Sequence, residues 1–495
     1  MDFLRRSLAA PLFIAGLLFL SSCSDSGKNS EALEEATRLD GEVIHLYAEG
    51  DYVQAAFFAR RALGLREEAL GPDHPDVAKS LNNLAGVYDV QGNHEESQPL
   101  HERALSIREE ALGPDHSDVA ESLNNLATLY HARRRYAEAE PLYERALAIR
   151  EKTLGPEHGL VAESLNNLAE VYRAQGAYNE AEPLYERALA IVEEALSPEH
   201  PFAGGILNGL GSVYEAQGRH SEAEPIYRRS LIIVQKAFGL NHPHVATALD
   251  KLARAYVARG GFNAAEPLYQ RALAIREQTF GRENPQVARS LINLAKLSQA
   301  QNNSRTAAIL HQRALSIIEG ALGPEHPEVA VRLNELAKLH RIQGRYDEAE
   351  PLNRRALSIW EKTLGTGHPQ VATGLNDLAL IYKAQQRFVE AEPLYRRALG
   401  ILEQAFGLEH TEVATGLNNL AGLYQTQSDY AKAEPLYRRA LGILERRVGP
   451  DHPNIIKTLS NMTDLYQQMG RLEQATEFAT REQEMRQRLG LIQGN

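Results

Sequence analysis

The sequence predicts an all-α protein, an α-solenoid of about eleven antiparallel helix pairs, and three observations predict it. First, the block LNNLA begins at Leu81, Leu123, Leu165 and Leu417, with degenerate copies at Leu207, Leu249, Leu291, Leu333, Leu375 and Leu459. Every step is a multiple of 42 residues, with no insertion. Second, a histidine holds one register at His74, His116, His158, His200, His242, His326, His368, His410 and His452, with Asn284 in the gap. Third, each period holds two apolar stripes of helical spacing separated by a turn. A period of this length is the mark of stacked units that cannot bury their apolar faces alone.

The unit from Asp118 to Gly155 shows the logic of each element. Val119, Leu123, Leu126 and Tyr130 are spaced four, three and four apart, one face of a first helix. Tyr136, Ala139, Tyr143, Ala146 and Ile149 form the stripe of a second helix. Arg133, Arg134 and Arg135 occupy the turn between them, where other units place Gly92, Gly176, Gly218, Gly344 or Gly470. Gly155 stops the second helix. A proline such as Pro75 or Pro201 opens the next first helix, where its missing N–H costs nothing. Ala127, Ala139 and Ala146 are small because helices cross closely there. The opening helix of the first pair (about 32–70) is degenerate. The last second helix, near Leu472 to Leu489, carries Arg481, Glu482, Glu484, Arg486 and Arg488, the polar outer face that a terminal unit needs.

The strings LNNLATLY, YAEAEPLYERALAIREKTLG and GPDHPDVA resemble the tetratricopeptide repeat, in the 42-residue variety of kinesin light chain. The resemblance covers about 32–490 and implies a right-handed superhelix. No heptad segment accompanies it, so a motor role is not implied.

Residues 1–22 read as a signal peptide: Arg5 and Arg6 precede an apolar stretch of 13 residues from Leu8 to Leu20. That stretch is short of the roughly 20 apolar residues a membrane span needs. Leu20-Ser21-Ser22-Cys23 resembles the lipobox of bacterial lipoproteins, which implies cleavage before Cys23 and its acylation. Cys23 is the only cysteine of the chain, so a disulfide framework within it is excluded. Ser24 after the cysteine implies an outer-membrane address, with the periplasmic face expected. Residues 23–31 read as a polar tether and 32–490 as the solenoid.

Catalytic chemistry is not expected. Recurring histidines fall one per repeat, about 10 Å apart at helix-packing distance, whereas zinc–nitrogen bonds are about 2 Å. They read as polar linker residues near helix starts, and no metal, cofactor or small-molecule substrate is expected. The repeated acids of GPDHPDV suit helix N-termini, where the dipole favours negative charge. A formal net charge of −12 disfavours nucleic acid as a partner. Tyr88, Tyr130, Tyr172, Tyr214, Tyr256, Tyr382, Tyr424 and Tyr466 form a second ladder, read as inter-helix packing rather than base stacking. Trp360 shares its position with Arg150, Val192 and Ile318, a mixture that suggests a half-exposed helix face.

The resemblance places the binding site in a concave groove lined by the first helices. Carried over are Asn82, Asn83, Asn124, Asn125, Asn166, Asn167, Asn208, Asn293, Asn334, Asn376, Asn418, Asn419 and Asn461. Each amide offers a donor and an acceptor to a peptide backbone; the competing reading is that the ladder bonds neighbouring repeats. In the central units Lys251, Arg254, Arg289, Lys296, Lys338, Arg341 and Lys383 outnumber Asp250, Glu335 and Asp377. That excess points to an acidic peptide segment. The expected function is a lipid-anchored scaffold for protein partners. The alternatives are an assembly factor of an outer-membrane or pilus-type complex, or a regulatory partner of a separate enzyme.

Overall fold

The computed structural model describes residues 26–448 and 453–489. Among them 22 helices follow one another in pairs and no strand occurs. In order they are α1 (Ser26–Glu49), α2 (Tyr52–Leu70), α3 (Pro75–Gln91), α4 (His94–Leu112), α5 (Ser117–Ala132), α6 (Tyr136–Leu154), α7 (Gly159–Gln175) and α8 (Tyr178–Ala195). Next come α9 (Pro201–Ala216), α10 (His220–Phe238), α11 (Pro243–Ala258), α12 (Phe262–Phe280), α13 (Pro285–Ala300), α14 (Ser304–Leu322), α15 (Pro327–Ile342) and α16 (Tyr346–Leu364). The last are α17 (Pro369–Ala384), α18 (Phe388–Phe406), α19 (Thr411–Thr426), α20 (Tyr430–Val448), α21 (Pro453–Gln468) and α22 (Leu472–Arg488). Odd-numbered helices are the first of each pair. This is the expected all-α solenoid. The chain divides into two compact units, residues up to 275 and residues from 276. Among the described residues no helix is long and apolar enough to cross a membrane.

Helix α1 begins at Ser26, so the later residues of the segment read as a polar tether are helical, tied back by Asn29 donating to the Ala69 carbonyl at 3.2 Å. Cys23, the signal peptide and His452 lie outside the described residues.

Each linker histidine that is described is an N-cap. His74, His116, His158, His200, His242, His326, His368 and His410 all sit in extended backbone, and their side chains accept from the amide two residues on. Asn284 does the same through its amide oxygen. This satisfies one of the donors that every helix start leaves open. At the turns, Gly92 and Gly176 adopt φ near +80°. Where glycine is missing, Arg134, Asn302, Gln386 and Ser428 are forced to φ of 59° to 61°.

The crossing alanines are closed to solvent: Ala127, Ala139 and Ala146 are each 0% exposed. Around them, repeats are joined by bonds that recur with the period. Tyr382, Tyr424 and Tyr466 each bond an arginine and a glutamate of the preceding second helix: Arg354 and Glu350, Arg396 and Glu392, Arg438 and Glu434. The turn side chains Arg135, Arg219 and Arg387 lie over Tyr130, Tyr214 and Tyr382, 4.0 to 4.5 Å from the ring centroids. The tyrosine ladder is thus an inter-repeat staple. A second ladder joins second helices, as in Arg145–Glu109, Arg187–Glu151, Arg355–Glu319 and Arg439–Glu403.

Trp360 corrects the sequence expectation: it is buried, 3% exposed. Before the terminal Arg486, its column is interior in every form. Arg108 and Arg150 are also buried, and bond Ser122 and Ser164 at 3.0 and 2.9 Å. A polar residue in this column therefore marks a buried hydrogen bond, not exposure. Where the arginine is replaced by Trp360 or Leu402, the serine position becomes Gly374 or Gly416 and makes room.

Candidate binding groove

The first helices carry the expected asparagines, and the structure separates them into two kinds. The first Asn of the block faces the stack: Asn82, Asn124, Asn166 and Asn334 are buried. Asn82 donates to Ser122 at 3.0 Å across the repeat boundary, while its oxygen meets His101 Nδ1 at 2.9 Å. Asn334 donates to Asp377 and accepts from Asn353, both at 2.7 Å. Asn418 donates to Thr458 at 2.8 Å, and Asn124 accepts from Asn167 at 2.9 Å. The bonds to Ser122, Asp377, Thr458 and Asn167 join successive repeats. Asn83 also reaches back, to Asp40 at 3.3 Å. Asn125, Asn293, Asn419 and Asn461 are half-buried and make no side-chain hydrogen bond among the described residues. Asn208 and Asn376 each keep an oxygen without a partner.

The cations divide similarly. Arg254 is bound through two nitrogens to Glu215, at 3.0 and 2.6 Å. The Lys251 amine donates to the Asn208 carbonyl at 3.0 Å and to Ser212 Oγ at 2.7 Å, and lies 5.6 Å from the Tyr227 ring centroid. Burial pulls its pKa down to about 8, against the pull of Glu170. Around it, Glu170 holds Tyr185 and Arg173 at 2.5 Å each. The centre of the first unit is therefore already paired within itself. Lys338 is held by Glu335 at 3.1 Å and by Asp377 at 3.5 Å. These acids keep its ammonium above the usual range in spite of burial. Burial in turn raises Asp377, more than Lys338 lowers it. Arg289 and Lys296 are exposed and have no ion-pair or hydrogen-bond partner among the described residues. Arg341 is half-buried, with its Nε unpartnered.

Four of the sequence-predicted residues come together. Lys383, Asn418, Asn419 and Asn461 line one cleft of about 590 Å³ across α17, α19 and α21, within the second unit. Leu380, Tyr395, Gln425, Tyr437, Lys457 and Gln468 complete much of its wall, and among the described residues no aspartate or glutamate lines it. The Lys383 amine donates to the Gly422 carbonyl at 2.7 Å, and burial together with Lys457 lowers its pKa. Lys457 is exposed and makes no ion pair or hydrogen bond among the described residues. The Tyr395 hydroxyl is buried without a partner among the described residues, and burial pushes its pKa up. Tyr437 donates to Gln425 at 2.9 Å. A smaller cleft of about 250 Å³ adjoins it and shares Asn418, Asn419 and Lys457.

The other wall residues escaped the sequence reading, and three of them show why. Lys457 occupies the column of Glu121, Glu163 and Arg289, so following that column to the last repeat finds it. Tyr395 and Tyr437 belong to second helices and reach the first-helix face through the pair; only the fold shows that.

The chain matches a family model described as tetratricopeptide repeat over residues 43–96, 76–152, 118–194, 202–278, 258–320, 286–351, 328–404 and 412–488. No curated protein matches it. Among solved structures, it is similar to a Podosopora anserina protein described as a kinesin light chain with nearly identical TPR-like repeats, at 27% identity and a TM-score of 0.38, covering 41% of this chain and 97% of that one. It is also similar to BtubC (BKLC) from P. vanneervenii, at 26% identity and a TM-score of 0.41, covering 47% and 92%. A tetratricopeptide repeat protein from Parabacteroides merdae shares 19% identity at a TM-score of 0.41, covering 62% and 99%. With eight matched stretches running from residue 43 to residue 488, this chain belongs to the tetratricopeptide repeat family.

Proposed function

We propose that this chain is a non-catalytic scaffold that binds an acidic segment of a protein partner along the first-helix face, at the cleft spanning α17, α19 and α21. Tetratricopeptide repeats are in general protein–protein interaction modules. The observation that carries the finer reading is the wall of that cleft: Lys383 and Lys457 with no carboxylate, in a chain of net charge −12.

In this reading Cys23 carries the lipid that anchors the scaffold to the outer membrane, on its periplasmic face. Several acyl chains give stable anchoring where one is marginal. The support is the Leu20–Cys23 pattern after an apolar stretch.

Crosslinked pull-down from intact membranes tests both halves, with Cys23→Ser and the double variant Lys383→Glu, Lys457→Glu. Loss of membrane fractionation in the first and loss of the captured protein in the second are expected. Capture unchanged by the double variant rejects the cleft. A captured set that is one complex of fixed stoichiometry replaces the scaffold with an assembly factor.

A further inference from the structure

The described linker histidines do something that a polar spacer cannot: each is an acceptor at the start of a first helix. The Nδ1 atoms of His74, His116, His158, His200, His242, His326, His368 and His410 accept from the amides of Asp76, Asp118, Leu160, Phe202, His244, Glu328, Gln370 and Glu412 at 3.1 to 3.3 Å. An imidazole nitrogen accepts only while it carries no proton. A protonated ring offers two donors instead, and sets a positive charge at a helix N-terminus, where the dipole repels it. The one described linker without histidine caps through Asn284, whose oxygen accepts from Gln286 at 2.9 Å and does not titrate in this range.

We infer that these capping histidines form an acid-sensitive ladder: protonation releases the first turn of every histidine-capped helix and leaves the Asn284-capped turn of α13 in place. The surroundings grade the response. His74 and His116 lie 3.7 and 3.9 Å from the carboxylates of Asp76 and Asp118, which accept from a protonated ring and blunt the loss. His242 stacks on Phe238 at 4.9 Å and meets His244 at 4.6 Å, and His410 stacks on Phe406 at 4.6 Å. The acids just before several caps are engaged elsewhere: Asp115 with Lys152 at 2.5 Å, Glu199 with Lys236, Glu325 with Lys362 at 2.9 Å, and Glu409 with Arg446 at 2.6 Å. His158, His200, His326 and His368 have neither an ion-pair partner nor a ring stack among the described residues, so their turns respond most. Burial already lowers the pKa of His200, in keeping with a ring held neutral.

Amide hydrogen exchange of the full chain at pH 7.5 and pH 5.5, corrected for intrinsic rates and read at single amides, tests this. Protection at Leu160, Phe202 and Gln370 falls about fivefold on acidification, the typical worth of one capping bond, while Gln286 and the core amides keep theirs. Equal loss at Gln286 or in the core, or retained protection at the histidine-capped turns, overturns the inference. His368→Asn makes the Gln370 amide indifferent to acid, and Asn284→His makes Gln286 sensitive. If Asn284→His does not fold, the comparison of His368→Asn with the parent decides alone, and continued acid loss at Gln370 in that variant overturns the ladder.

Discussion

The Trp360 ring lies so close to Gly374 that a β-carbon there would sit 3.1 Å from it. The two positions are the apolar counterpart of the buried Arg150–Ser164 pair, bonded at 2.9 Å. Gly374→Ser alone therefore overfills the interior, at a cost of about 1–3 kcal/mol. Adding Trp360→Arg restores the pairing used elsewhere in the chain and recovers much of that loss. Urea unfolding of the two single variants and the double variant, followed by circular dichroism, measures the coupling. Additive single effects contradict the pairing.

At the α5–α6 turn, Arg134 holds φ at 59°, a conformation that costs an L-residue roughly 1 kcal/mol. Gly176 and Gly218 occupy the same place in their turns at φ of 81° and 76°. Arg134→Gly should raise stability by about 0.5–1 kcal/mol, seen as a higher melting temperature. A lower one means that the Arg134 side chain contributes more than its backbone costs.

Reversing two cations of the first-helix face separates binding from stability. Lys296 is exposed and unpaired among the described residues, so Lys296→Glu leaves the melting temperature unchanged. Lys338 bridges Glu335 and Asp377, so Lys338→Glu places three acids together and lowers it. An equal effect of the two substitutions on thermal unfolding rejects this division.

His311 is 1% exposed with neither ring nitrogen bonded among the described residues, in the column held elsewhere by Tyr185, Tyr227 and Tyr395. Burial, then Arg332, lowers its pKa to about 4, with Lys296 adding to and Glu335 opposing the shift. The unfolded value is about 6.5, so the folded state binds the proton less. The stability His311 contributes is complete above about pH 6.5 and is lost as pH falls towards 4, on the order of 3 kcal/mol at most. His311→Tyr should remove that part of the acid sensitivity. Chemical denaturation at pH 7 and pH 4.5 reads it, and an unchanged difference between the two pH values argues against it.

Helix pairs, turns and crossing alanines were legible in the sequence because each is a periodic property, and periodicity survives without knowledge of contacts. Trp360 was misread because a column mixing arginine with apolar residues looks exposed when its serine partner, 14 residues on in Arg150–Ser164, is not yet known to touch it. The site was legible in part. Lys383, Asn418, Asn419 and Asn461 do line one cleft. Of the cations read in the centre, Arg254 and Lys338 are paired with acids, and the Arg254–Glu215 pair, whose members lie 39 residues apart, meets only when repeats stack. Tyr395 could not be found, since its hydroxyl reaches the face from behind.

The staples between repeats have a consequence for the gene. Tyr382, Tyr424 and Tyr466 each bond an arginine 28 residues earlier, so the same bond is written once per period of coding sequence. An in-frame loss or duplication of one whole period within the stapled stretch of the second unit brings together residues of the same types at the same separation. Unequal crossing-over can then change the number of repeats there without inventing a new interface, and array length becomes something selection can adjust.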